Sequence, residues 1–329
     1  MVCSGFVPNL QRRTRNRKVH PLTGAVWQLK RGAETGVQPV RDLIKTNAAL
    51  LLVGVMTFVL MGAGQSLYGP ALPAFSRAFD ISLGRAGLLV SAHWVGCAIG
   101  VGAMFFASAR VTPRTVVLIM TLGAALLATG FSWITTVLGA LVFGAGYGLA
   151  TVVFNPRVLR AFGTRGPAML SLLNATFGIG AILAPLLFVM LGNDPALTFA
   201  ATAIFGAMIV AIAGSAGKAE TTAAQTSTAA FRPHWLALTF GGIAIAVEAC
   251  LIGLGPTALI KAGLSEVQAA KLLSAFFFAF LGARVILIFT AHLLQSFTLY
   301  TLAVGGAFVA AVCAAFWQPG PSFITLGFF

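Results

Sequence analysis

The feature that most constrains this chain is a series of apolar runs, each long enough to cross a lipid bilayer. A membrane-spanning helix needs about 20 consecutive, mainly apolar residues. Nine such runs lie near residues 47–68, 86–107, 115–131, 136–155, 168–191, 196–214, 234–256, 268–291 and 297–316, and a tenth begins near Pro321. The sequence therefore predicts an all-α, polytopic membrane protein.

The composition and the positions of the charges agree with a membrane protein. Hydrophobic residues make up 58% of the 329-residue chain and charged residues only 9%, whereas soluble domains carry about 25% charged residues. A net charge of +14 would suit a nucleic-acid partner, but most Lys and Arg residues precede residue 47 or lie in breaks between apolar runs. This distribution follows the positive-inside rule. We expect a multi-pass protein of the cytoplasmic (inner) membrane, with a cytoplasmic N-terminus and no nucleic-acid partner.

Two polar segments divide the chain into bundles. Residues 1–46 are basic and lack the apolar core of a secretory signal, so we predict a disordered cytoplasmic tail. Residues 215–233 are small and polar, which predicts a flexible cytoplasmic linker. A six-helix bundle is expected at residues 47–214, and a truncated bundle of about three and a half spans at residues 234–329.

The second bundle repeats a pattern of the first. The first contains Gly69-Pro70, Ser82 and Ser91, and the second contains Gly255-Pro256, Ser265 and Ser274. Chance similarity between apolar helices is one explanation. The other is a pair of six-helix halves repeated in parallel, which is the architecture of major facilitator transporters. On that interpretation the second bundle is incomplete and would need about 70 further residues.

Particular residues resemble one branch of that superfamily. Residues 165–174 read RGPAMLSLLN and residues 177–187 read FGIGAILAPLL; together they look like the fifth span of the fucose permease-like sugar and proton symporters. Glu248 and Arg284 fall where that branch carries an acidic residue and an arginine. The resemblance covers about residues 47–329. It implies the two-bundle fold, alternating access and proton-coupled sugar transport.

Two glycine patterns bear on the choice of function. Gly144-x-Gly146-x-Gly148 suggests a dinucleotide site only inside a βαβ unit, so we predict close helix packing through small residues instead. Gly180-x-x-x-Ala184-Pro185 resembles the signature of drug antiporters. A drug or metabolite efflux antiporter is therefore the alternative function.

Ionisable residues at membrane depth are the main functional candidates, because each costs about 2.5–3.5 kcal/mol to insert. Glu248 is the only acidic residue well inside a predicted span, and we predict that it binds the proton or accepts substrate hydroxyls; a structural pair with Arg284 is the rival role. Arg284 would pair with Glu248, hold an anionic group or snorkel to the interface. His93 would relay protons or serve as a packing residue.

Neutral polar groups at depth are the substrate-binding candidates. Amides donate to hydroxyls and accept from them, which suits Gln65, Asn155 and Asn174. An aromatic residue such as Trp94 packs on a sugar ring face. Hydrogen bonding between helices is an equally weighted role for each amide.

The leading prediction is a secondary active transporter that moves a small polar solute, such as a sugar, by alternating access coupled to protons. A membrane sensor or enzyme is a weaker alternative, because Glu248 stands alone as an intramembrane carboxylate. The sequence shows no Walker A motif, metal-ligand cluster, CxxC pair or catalytic triad spacing, so we expect no enzyme activity, no metal and no cofactor. The expected partners are the solute, the proton and the lipid bilayer, with the chain acting as a monomer.

Overall fold

The computed structural model describes residues 40–107, 111–218, 235–290 and 295–329. Its α-helices are α1 (Val40–Thr46), α2 (Ala48–Ala78), α3 (Leu83–Ala86), α4 (Leu88–Ala107), α5 (Pro113–Thr129), α6 (Trp133–Phe162), α7 (Gly166–Met190), α8 (Pro195–Ala213), α9 (Trp235–Lys261), α10 (Glu266–Thr290), α11 (Ser296–Phe316) and α12 (Pro319–Phe328). Short 3-10 helices form at Gly163–Arg165 and Gly214–Lys218. The described residues contain no strand, and the predicted all-α class is confirmed.

The helices have the length and apolar character that membrane crossing requires. Within the described residues, 7 helical segments are long and apolar enough to cross a membrane. One of them, Trp133–Met190, comprises α6, α7 and the turn between them, and α5 is a shorter apolar helix. Each predicted span thus has a helix, with α12 at the tenth position. The prediction of a polytopic membrane protein is confirmed.

Three helices continue past the ends that the apolar runs predict. Helix α2 reaches Ala78 rather than ending near residue 68, α6 reaches Phe162, and α9 reaches Lys261. Apolar runs mark only the hydrocarbon part of a span, whereas the hydrogen-bonded backbone continues into the interface. Pro70 and Pro73 lie inside α2, which membrane helices tolerate when neighbouring helices pack against them.

The predicted polar segments lie mostly outside the described residues, namely at 1–39 and 219–234. The prediction of a disordered tail is wrong for its last residues, which form α1. Leu43 of α1 packs against the first bundle's core, and the Asn47 amide donates to the carbonyl oxygens of Leu43 and Ala161 at 3.1 and 3.4 Å. The start of the predicted linker forms the Gly214–Lys218 3-10 helix.

Short turns place alternate helix ends on two faces of the molecule. We call the face that holds turns 163–165 and 214–218 the linker face, and the face that holds turns 79–82 and 262–265 the far face. Arg157 in α6 donates to the carbonyl oxygen of Val111 on the linker face, at 3.3 Å.

Glycines let the helices of the first bundle approach each other closely. A Cβ atom added at Gly144 or Gly148 of α6 would collide with the backbone carbonyl of His93 or Cys97 in α4. Gly146 lies on another side of α6, where an added Cβ would collide with Met120 of α5. The predicted packing role of this glycine run is therefore confirmed, and the contact fixes the backbone of His93.

The two serines of the internal repeat perform the same local task. The Ser82 hydroxyl accepts from the backbone N–H of Arg85 at 3.2 Å, and the Ser265 hydroxyl accepts from the backbone N–H of Gln268 at 3.2 Å. Each serine therefore caps the second span of its half, as N-cap residues do. The shared caps favour a genuine structural repeat over chance similarity.

The two bundles meet through the halves of their helices that lie towards the far face. Ile252 and Leu259 of α9 and Leu273 and Phe277 of α10 form a buried apolar cluster with Ala181 of α7. The two Gly-Pro pairs of the repeat also meet here, because a Cβ added at Gly69 would lie 2.8 Å from the Cγ of Pro256. This packing brings the middles of α2, α4, α6, α9 and α10 around one centre.

Candidate functional site

Glu248 lies halfway along α9, where the second bundle faces the first. Its side chain is half-buried. Arg284 of α10 and Tyr147 of α6 lie within electrostatic range of its carboxylate. Among the described residues no ion pair within 4.0 Å involves Glu248. The central carboxylate is therefore close to a positive charge without being locked to it.

The Arg284 guanidinium is held by a ring of its own helix. Its central carbon lies 4.0 Å from the centroid of the Phe280 ring, one turn earlier in α10. A cation over an aromatic face is attracted by the ring quadrupole. The structure thus places Arg284 within electrostatic reach of Glu248 while stabilising its charge by stacking.

A group of aromatic side chains connects Glu248 to the first bundle. Tyr147 lies 5.1 Å from His93 and 6.0 Å from Trp94, measured between ring centroids. It also approaches Phe177 of α7 at 6.5 Å. Tyr147 was not among the candidates drawn from the sequence, although a tyrosine in the middle of an apolar span, with a hydroxyl to satisfy, was a usable signal.

A cluster of three buried polar residues lies beside this aromatic group. Gln65 and Tyr68 of α2 and His93 of α4 are only 5%, 2% and 1% exposed. The Gln65 Oε1, the Tyr68 hydroxyl and both ring nitrogens of His93 have no hydrogen-bond partner among the described residues. A buried polar atom without a partner costs about 1–3 kcal/mol. We call Gln65, Tyr68 and His93 the polar cluster.

The polar cluster opens on a cleft between the bundles. The cleft is narrow and is lined by Gln65, Tyr68, Val90, His93, Trp94, Ala249, Ile252 and Gly253. The last three belong to α9 of the second bundle, and Ala249 directly follows Glu248. The structure therefore brings Gln65, His93 and Trp94, three of the residues singled out from the sequence, to one side of the central carboxylate.

Asn155 and Asn174 lie apart from this centre, nearer the linker face. Asn155 is in the last third of α6, and its Oδ1 has no partner among the described residues. Asn174 is in the first third of α7 and donates to the carbonyl oxygen of Leu170 at 2.9 Å. Neither amide lines the cleft. Within the described residues no three His, Cys, Asp or Glu side chains form a group that could hold a metal.

Comparisons with known proteins agree with this architecture. The family model described as Major Facilitator Superfamily matches residues 54–329. A search of curated protein sequences gives no match.

Three solved structures illustrate the likeness. A D-xylose-proton symporter has a TM-score of 0.63 at 15% identity, over 85% of this chain and 79% of that chain. A bacterial homologue of the human lysosomal transporter Spinster has a TM-score of 0.58 at 14% identity, over 89% of this chain and 73% of that chain. A variant of the E. coli fucose:proton symporter FucP has a TM-score of 0.52 at 19% identity, over 84% and 80%. At such low identities the likeness concerns the fold.

Proposed function

The chain belongs to the major facilitator superfamily of transporters, and on this premise we propose that it moves a small polar solute, such as a sugar, together with protons. The solute would cross the cytoplasmic membrane by alternating access, with the linker face in the cytoplasm and the far face outside. Transport would require the two bundles to rock about the centre that holds Glu248 and the polar cluster.

The observation that carries this proposal is the placement of Glu248. It lies at mid-depth, between two bundles that must move relative to each other, without an ion pair within 4.0 Å in the described part of the chain. An intramembrane carboxylate locked in an ion pair is a poor proton carrier, because its charge is already compensated. A carboxylate without that lock gains or loses a proton as the cavity around it opens to water on one side or the other.

Coupling then follows from thermodynamic linkage. If protonation of Glu248 favours solute binding, then solute binding favours protonation by the same factor. A carrier that changes sides readily only when both ligands are bound, or neither, uses the proton gradient to accumulate solute. Arg284 would assist by attracting Glu248 after proton release, and His93 would serve as a further proton site.

Sugars as solutes are supported by the neutral polar groups of the cleft and by two of the similar structures. Those two proteins are a D-xylose-proton symporter and a fucose:proton symporter. In this chain the supporting features are the unpaired polar cluster and the adjacent Trp94. Asn155 and Asn174 would line the solute path nearer the cytoplasm.

The proposal is tested by uptake of radiolabelled hexoses and pentoses into proteoliposomes with an acidic exterior. We expect gradient-driven accumulation by the wild type and a loss of more than about tenfold in Glu248→Gln. Solute exchange across the membrane without a gradient should survive in Glu248→Gln, since exchange needs no net proton movement. Glu220→Gln, which changes an acidic residue of the predicted linker, is the matched control and should behave as wild type.

Two outcomes would count against the proposal. Undiminished gradient-driven accumulation by Glu248→Gln would remove Glu248 as the coupling site. Failure of the wild type to take up any sugar, together with proton-driven extrusion of an apolar dye, would put the efflux antiporter first.

A further inference from the structure

We propose that Gln65, Tyr68 and His93 form a substrate subsite that recognises adjacent hydroxyl groups of an uncharged solute, with Tyr68 as the specificity-determining residue. This inference rests on the proposed transport function and deepens it by naming the contacts and the substrate class. Three observations carry it: the burial of the three side chains, their unpaired polar atoms and the cleft that they share with α9.

The unpaired atoms specify what they would bind. The Gln65 Oε1 accepts hydrogen bonds, the Tyr68 hydroxyl donates and accepts, and a neutral His93 ring donates from one nitrogen and accepts at the other. A solute hydroxyl also donates and accepts, so two neighbouring hydroxyls satisfy this mixed set. A carboxylate only accepts and an ammonium only donates, and either would leave part of the polar cluster unpaired.

The residues that line the cleft also disfavour charged ligands, because they offer no charge to pair with them. No Asp, Glu, Lys or Arg is among the described residues that line it. Its apolar walls come from Val90, Ala249 and Ile252, and Tyr68 and Trp94 supply aromatic surface. Aromatic rings pack well on the C–H faces of sugars.

The cleft is narrow and lies between the two bundles. In this structure it leaves no room for a water molecule, so a solute would enter only as the two bundles move apart. Because α2 and α4 form one wall and α9 the other, a solute held here bridges both bundles next to Glu248.

The central position of Tyr68 explains why it should decide specificity. Its ring contacts His93 at 5.2 Å and Phe199 of α8 at 5.9 Å between centroids. These contacts fix the ring at the edge of the cleft, and its hydroxyl has no partner among the described residues. Removing that hydroxyl deletes a recognition group and leaves the packing of the ring intact.

The test uses Tyr68→Phe in the purified protein, with Tyr300→Phe as the matched control because Tyr300 is 61% exposed on α11. The first readout needs no ligand. Replacing an unpaired buried hydroxyl by hydrogen should raise the melting temperature of the unliganded protein by about 2 °C. A fall in the melting temperature would mean that the hydroxyl has a structural partner, and it would overturn the subsite.

The second readout is binding to D-xylose, L-fucose and myo-inositol, with glucuronate and glucosamine as charged counterparts. We expect the wild type to bind neutral members in preference to the charged ones. Tyr68→Phe should weaken the best neutral Kd by about tenfold, and Gln65→Met, which removes the acceptor at similar size, should do the same. Tyr300→Phe should leave this Kd unchanged.

Each remaining result supports or overturns the subsite separately from the transport function. Unchanged Kd values in both Tyr68→Phe and Gln65→Met, or a wild type that prefers a charged counterpart or binds none of the neutral members, would overturn the subsite. Weakened binding in both variants would support it even if gradient-driven uptake proved independent of Glu248. Loss of uptake in Glu248→Gln with unchanged Kd values in the other two would leave the transport function standing alone.

Discussion

Within the described part of the chain, polar side chains are paired at the far end of the contact between the two bundles and unpaired at its centre. At the far end the Arg77 guanidinium of α2 forms a bidentate ion pair with the Glu266 carboxylate of α10. The Arg77 Nη2 donates to the Glu266 Oε2 at 3.0 Å. At the centre, Glu248 has no ion pair among the described residues and the polar cluster has no partners there. The partly exposed charges of Arg77 and Glu266 are paired, whereas in the described residues Glu248 and the unpaired atoms of the polar cluster are not.

This difference suggests two roles: the ion pair at the far end holds the two bundles together, and the centre binds the proton or the solute. The ion pair at the far end joins two helices from different bundles and lies partly in solvent, with its side chains 62% and 27% exposed. Such a pair is worth up to about 1 kcal/mol, enough to bias an equilibrium between two conformations without freezing it. The unpaired groups at the centre gain their stabilisation when a proton or a solute arrives. We therefore expect the far end to set which side is closed and the centre to set what is carried.

The largest expected effect is a loss of stability caused by a substitution that disrupts the backbone contact at the centre. Gly144→Val would force side-chain atoms into the carbonyl of His93, where even a Cβ has no room. Overpacking of this kind costs about 3 kcal/mol, and the α4–α6 contact and the position of His93 should both be lost. The measurement is the fraction of monodisperse protein after membrane extraction, together with its melting temperature.

Gly102→Val on α4 is the control for that experiment. A Cβ added at Gly102 meets nothing within 4 Å, so the variant should behave as wild type. Equal stability of the two variants would contradict the view that backbone contact fixes the centre.

The helices of this fold were predictable because membrane crossing imposes a length and an apolar composition that the sequence displays directly. Helix ends were less predictable: Gly69, Pro70 and Pro73 look like breaks in a sequence but are packed inside α2. The short helix α1 was missed because it depends on tertiary contacts of Leu43 and Asn47. Those contacts leave no local pattern.

The candidate site was predictable in part for a related reason. Glu248 was singled out because a carboxylate in an apolar run is conspicuous by itself. Tyr68 and Tyr147 were missed because a tyrosine is common at membrane interfaces. The position of Tyr147 in the middle of a span was a usable signal, but only packing shows that the two tyrosines face the centre. Asn174 was singled out by type, yet its amide donates to the backbone of its own helix.

The next largest effect comes from removing the ion pair at the far end. Arg77→Gln removes the ion pair to Glu266, and we expect the population with separated far-face helices to increase by up to about fivefold. Spin labels on cysteines at Gly84 and Ala262, in a background without native cysteines, report that separation by pulsed dipolar spectroscopy. Both sites are exposed, one on each bundle.

The exchange of the two charges provides the sharper version of this test. Arg77→Glu combined with Glu266→Arg should restore the wild-type distance distribution, whereas either change alone should not. Arg85→Gln is the control, because Arg85 is an exposed far-face arginine without an ion pair among the described residues. A distance distribution that Arg77→Gln leaves unchanged would remove any role of the pair in closing this face.

The smallest expected effect concerns how the centre holds a positive charge without pairing it. If the Phe280 ring stabilises the Arg284 guanidinium, a double-mutant cycle of Phe280→Leu and Arg284→Gln should give a coupling free energy of about 0.5–1 kcal/mol in reversible unfolding. A cycle with Phe278→Leu, whose side chain is 71% exposed on the same helix, should give none. If the two effects at Phe280 and Arg284 simply add, the ring does not hold the charge. The guanidinium would then be free to pair with Glu248, and the contrast between a paired far end and an unpaired centre would not hold.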